Sequence, residues 1–69
     1  MRDRIDEIGK AAGEIWMYLE GKREGTTVTG LKNGTQLPAE LFHEALGWLA
    51  REDKIRFSYR GKSLRVGLH

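Results

Sequence analysis

The chain has no cysteine, a single proline and only two histidines. Without cysteine there is no disulfide and no thiolate metal site, which fits a reducing compartment and an expected cytoplasmic location. His43 and His69 have no ligand partner at helical spacing, and no zinc or di-metal pattern is present. No apolar run approaches the roughly 18 residues of a membrane span. The opening MRDRIDEIGK is charged and lacks an apolar stretch, so it does not read as a secretion signal. Nine glycines are present, but none sits in a phosphate-cradling loop between a strand and a helix. No catalytic constellation is visible. Neither an enzyme, a cofactor nor a small-molecule substrate is expected.

What remains is a small chain with uneven charge. Its 69 residues suit one domain spanning 1–69, without repeats, low-complexity tracts or long linkers. A chain of this size buries only about 60% of its unfolded surface, so its stability is modest and a partner surface would add to it. Residues 1–50 hold six Lys/Arg against eight Asp/Glu, net −2; residues 51–69 hold six against two, net +4. A basic patch of this kind bears on partners rather than on fold.

The segment 41–66, LFHEALGWLAREDKIRFSYRGKSLRV, shows how the basic end is built. Leu41, Phe42, Ala45, Leu46, Trp48 and Leu49 share one broad face at 100° per residue. Glu40, His43, Glu44, Gly47 and Arg51 share the other. Pro38 suits the first turn of this helix, and Glu40 suits the positive end of its dipole. The polar run Glu52-Asp53-Lys54 breaks the pattern. Then Ile55, Phe57 and Tyr59 alternate with Arg56 and Ser58, and Leu64, Val66 and Leu68 alternate with Ser63, Arg65 and Gly67. Two period-2 segments around Arg60-Gly61-Lys62 read as a hairpin. A turn centred on Arg60-Gly61 pairs Phe57 with Leu64; one centred on Gly61-Lys62 pairs Phe57 with Val66. Both put the same side chains on the core face.

Upstream, Ile5, Ile8, Ala12, Ile15, Trp16 and Leu19 form a helical stripe, with Arg2, Asp3, Asp6, Lys10 and Glu14 off it. Gly21 is a natural stop, so a first helix is expected over roughly 3–20. Thr26-Thr27-Val28 reads as a short strand that could add to the hairpin. Thr29 is a good N-cap for a second helix from Gly30, weakened by Gly30, Asn33 and Gly34 and anchored by Leu31 and Leu37. The order is helix, strand, helix, helix, strand, strand. That is the order of an α+β winged helix-turn-helix, with the second and third helices as the helix-turn-helix. The expected core is Ile5, Ile8, Ala12, Ile15, Leu19, Leu31, Leu37, Leu41, Ala45, Leu49, Ile55, Phe57, Leu64 and Val66, with Trp48 largely buried beside it.

The run Ala45-Leu46-Gly47-Trp48-Leu49-Ala50-Arg51-Glu52-Asp53-Lys54-Ile55, with Gly30-Leu31-Lys32 and Gly13-Glu14-Ile15-Trp16 upstream, resembles a family of small bacterial and archaeal winged helix-turn-helix proteins of uncharacterised function. The resemblance covers nearly the whole chain. It implies the winged-helix fold and, by fold analogy, binding of DNA. It supplies no catalytic or base-reading residues. It also suggests a homodimer.

Arg56, Arg60, Lys62 and Arg65 are the strongest functional signal, because a cationic wing can follow a phosphate backbone. Cations on edge strands also keep those strands soluble and unpaired. His43 and Arg51 could reach base edges from the third helix. Against that, the exposed face of this helix carries two acids and one base, whereas a major-groove helix usually brings Arg, Lys, Asn or Gln. Mid-helix Gly47 implies either close approach by a partner or tight packing within the protein. Met17 and Tyr18, off the main stripe of the first helix, are the candidate homodimer interface. The expected function is binding of double-stranded DNA, as a small transcriptional regulator. The alternative is a protein-interaction module on the same fold. RNA binding is less favoured, since the strands lack a paired stacking platform.

Overall fold

The structure is a computed structural model and describes residues 4–69. The expected helix start at residue 3, and the placement of Arg2 and Asp3, lie outside the described residues. Helix α1 spans Arg4–Glu20, strand β1 Thr26–Thr27, helix α2 Val28–Thr35, helix α3 Ala39–Arg51, strand β2 Ile55–Arg60 and strand β3 Ser63–Leu68. This is the expected winged helix-turn-helix order. No helix among the described residues is long and apolar enough to cross a membrane.

The boundaries follow from capping chemistry. Thr27, not Thr29, caps α2: its backbone is extended at φ −71°, and its Oγ1 accepts the Gly30 N–H at 3.0 Å. Thr26, Thr27 and Thr29 are all competent caps by residue type. Pairing with β3 decides between them, because the ladder ends at Thr27↔Arg65. Helix α2 stops at Gln36, which takes the left-handed conformation at φ 57° and returns its N–H to the Lys32 carbonyl. Helix α3 closes with a Schellman arrangement. The Lys54 N–H reaches the Leu49 carbonyl at 3.0 Å, and the Asp53 N–H reaches Ala50 at 3.1 Å. Asp53 sits at φ 60°, where Asp is tolerated better than most residues.

The sheet is antiparallel, with order β1-β3-β2. Phe57 pairs with Val66 and Arg60 with Ser63, so the hairpin turns on Gly61-Lys62. Gly61 has φ +62° at the first turn position, the requirement of a type II′ turn. Gly25, at φ +79°, lets the chain pass against β3: a Cβ there would lie 2.7 Å from the Val66 carbonyl oxygen.

Ala11, Ala12, Ile15 and Leu19 of α1 meet Leu31 of α2, Phe42, Ala45, Leu46 and Leu49 of α3, and Ile55 and Val66 of the sheet. Ile8, Leu37 and Leu41 are partly buried against this cluster, and Leu64 is half-buried. Three expected core positions are corrected. Ile5 is 57% exposed, so it lies on a flank of α1 and outside the buried cluster. Trp48 is 38% exposed and borders an open groove rather than filling the space between helix and wing. Phe57 is 43% exposed although its ladder partner Val66 is buried, because β2 is the edge strand of the sheet and the helices cover the central strand β3 more fully. Phe42, by contrast, is fully buried and central.

Candidate nucleic-acid interface

Strand alternation divides the hairpin into two faces. Ile55, Phe57 and Tyr59 on β2 and Leu64, Val66 and Leu68 on β3 share the face whose root packs on the helices. Arg56, Ser58, Arg60, Ser63, Arg65 and Gly67 share the outer face. The four expected wing cations therefore fall into two sets. Arg60 and Lys62 flank Gly61 at the tip. Arg56 and Arg65 lie nearer the root, where Arg56 faces Gly67 and Arg65 faces Ser58 across the pair. Arg56 donates to Nε2 of His69, and His69 Nδ1 lies 3.0 Å from the Asp53 carbonyl oxygen. Arg65 reaches the Glu24 carbonyl oxygen at 3.5 Å. None of Arg51, Arg56, Arg60, Lys62 or Arg65 is ion-paired among the described residues; the pairs there are made by Arg4, Lys54 and His69.

Helix α3 presents Glu40, His43, Gly47, Ala50 and Arg51 to solvent. His43 stands edge-on to the Phe42 ring, with centroids 5.3 Å apart. Nothing lies within 4 Å of a Cβ built on Gly47, so internal packing does not explain that glycine. The two acids are not free. Arg4, from the start of α1, reaches Glu44 at 2.5 Å, Glu40 at 3.2 Å and Glu7 at 3.5 Å. The hydrogen bond to Glu44 raises the guanidinium pKa above its already high ordinary value, and the nearby carboxylates add to it. The negative charge on the exposed side of α3 is thus partly balanced within the protein.

Met17 and Tyr18 part company. Met17 is 69% exposed. It lines an open groove of about 640 Å³ with Gly9, Gly13, Trp16, Trp48 and Leu68. Tyr18 turns toward α2, where its ring covers Gly34, and Lys22 Nζ sits 5.4 Å from its centroid. The apolar groove was readable in part: Gly9, Gly13 and Met17 follow one another at i, i+4 along α1. Arg23 was not readable, because its nearness to Arg56 and Arg65 depends on β1 docking beside β3. Among the described residues no group of three or more His, Asp or Glu could hold a metal ion.

Helices stacked on a three-stranded sheet with a protruding basic hairpin define a winged helix-turn-helix protein. The chain belongs to the winged helix-turn-helix domain family DUF2582, which it matches over residues 1–68. It is 36% identical over 56 residues to the uncharacterised protein MJ1608 of Methanocaldococcus jannaschii, covering 80% of each chain. Its fold is similar to the solution NMR structure of protein BT2368 from Bacteroides thetaiotaomicron, with TM-score 0.76 and 27% identity. That match covers 91% of this chain and 76% of the other.

Proposed function

We propose that the chain binds double-stranded DNA and acts as a small transcriptional regulator. Arg56, Arg60, Lys62 and Arg65 contact phosphates, and His43 and Arg51 reach toward base edges from α3. The observation that carries this reading is the sorting of charge. The wing cations have no carboxylate partners among the described residues, while Glu40 and Glu44 on α3 are engaged by Arg4. The small residues Ala39, Gly47 and Ala50 on the same side of α3 leave room for a groove wall to approach closely. The protein acts inside the cell, as one domain and without catalysis. Titrating a fluorescent duplex with the protein at two salt concentrations tests the reading, since phosphate-driven binding must weaken steeply with salt. Affinity independent of salt, or absent at low salt, would defeat it.

The groove beside Met17 favours a second element of the proposal, a homodimer. Trp16, Met17 and Trp48 expose apolar surface around the bare Gly9 and Gly13, and a two-fold pairing would bury that patch twice. The same groove supports the alternative, a protein-interaction module that does not read DNA. The two differ in salt response, because burial of apolar surface is weakened far less by salt than phosphate contact.

A further inference from the structure

We propose that the outer face of the sheet holds a backbone-phosphate site, formed by Arg23, Arg56 and Arg65 around a floor of glycine. The proposal rests on the nucleic-acid reading above and adds a grip on the backbone apart from the wing tip and α3. Arg56 and Arg65 emerge from neighbouring strands on one face. Because Arg56 pairs with Gly67 and Ser58 with Arg65, the two arginines are diagonal neighbours, about 7–8 Å apart. Arg23 joins them from the loop that leads into β1. The three line one open groove of about 420 Å³ with Ser58, Gly25 and Gly67.

The floor is bare for a structural reason. Gly25 cannot carry a side chain, given its positive φ and its approach to the Val66 carbonyl. Gly67 lies directly against it, its would-be Cβ 3.5 Å from the Gly25 Cα. A ligand can therefore come close to the backbone between three guanidinium groups. Each guanidinium has five N–H donors, and the contacts described for Arg56 and Arg65 use only part of them. Glu24 is the one acid in the lining, and it forms no ion pair with these arginines among the described residues. Three like charges gathered at one groove repel unless an anion joins them. A phosphodiester supplies one negative charge and two free oxygens, which suits the forked donor geometry of arginine. Arg60 continues the same face toward the tip, about 13 Å beyond Arg56 at strand spacing. A backbone lying in the groove runs on to the tip cations. That continuity favours a nucleic-acid strand over an isolated anion.

The test is an NMR titration of the isotope-labelled chain with a duplex of about 20 base pairs, two helical turns, read at the backbone amides. Wild type is compared with Arg23→Glu and with Gly67→Leu, which fills the groove and leaves every charge in place. Arg23 is exposed and its substitution is compatible with folding, so it carries the test alone if Gly67→Leu disturbs the sheet. The expected result is a shift of the Gly25 and Gly67 signals in wild type. Arg23→Glu should bind several-fold more weakly at low salt, with a salt slope reduced by about one unit. If His43, Gly47 and Gly61 respond while Gly25 and Gly67 do not, and Arg23→Glu keeps the full slope, the groove is not a phosphate site although the protein binds DNA. If no signal moves, the nucleic-acid reading falls and this proposal with it.

Discussion

The Arg4 guanidinium lies 2.5 Å from the Glu44 carboxylate, tying the first turn of α1 to the middle of α3. Residues 40 positions apart thereby set the charge of the helix that faces solvent. Replacing Arg4 by Gln should change stability little, because exposed ion pairs contribute little to folding. Its expected effect is on binding: Glu40 and Glu44 lose their cation, and affinity for duplex DNA falls. Glu44→Gln in the same background should recover part of it. Equal DNA affinity for wild type and Arg4→Gln in an anisotropy titration would show that these acids lie away from the DNA.

Two glycines of the helix-turn-helix should respond in opposite ways to alanine. A Cβ on Gly34 would fall 2.4 Å from the Tyr18 ring, so Gly34→Ala should destabilise by about 1–3 kcal/mol despite its better helix propensity. Gly47 has open space around it, so Gly47→Ala should stabilise by about 0.5–1 kcal/mol. Urea denaturation of both variants checks the signs. Shortening Tyr18 to Ala in the Gly34→Ala background should remove most of the clash and give a non-additive pair. Two variants shifting the same way would contradict the packing described here.

Phe42, fully buried, and Trp48, at the rim of the groove, should differ sharply. Phe42→Ala should destabilise by about 3–5 kcal/mol, a large fraction of a small domain's stability. Trp48→Ala should lose roughly 1–2 kcal/mol, since its side chain gives up only part of its area to the core. Thermal unfolding of the two variants separates them. A Trp48→Ala loss as large as that of Phe42→Ala would mean the groove is closed in solution.

The homodimer has its own test. Sedimentation at about 100 µM, well above a micromolar dissociation constant, should show a species of twice 7.9 kDa. Met17→Glu should return it to monomer, because it puts a charge into the shared apolar patch without touching the core. A wild-type monomer at that concentration would leave the groove to a different protein partner.

Much of the architecture was legible because period and punctuation agree along α3, β2 and β3. The polar Glu52-Asp53-Lys54 break coincides with a Schellman closure, and the two-residue periods coincide with the ladder. The reach of burial was not legible. A 100° period names the inward face of a helix but not how far its neighbours extend, so Ile5 and Trp48 were placed too deep. Phe57 was misplaced for a similar reason, as alternation gives its face and not its place on the edge strand of the sheet. The charge on α3 was misjudged because Arg4 is remote in the chain. The wing cations were legible from the alternation around Arg60-Gly61-Lys62, but which residues pair across the hairpin was not, because a two-residue period gives the faces and leaves the turn register open.

The most direct measurement is the salt dependence of duplex binding by wild type and by the Arg60→Ala/Lys62→Ala double variant. The wild-type affinity should fall steeply as salt rises. The double variant should bind unrelated duplexes more weakly and lose about one unit of slope per missing phosphate contact. A variant with wild-type affinity and an unchanged slope would contradict a DNA-binding wing.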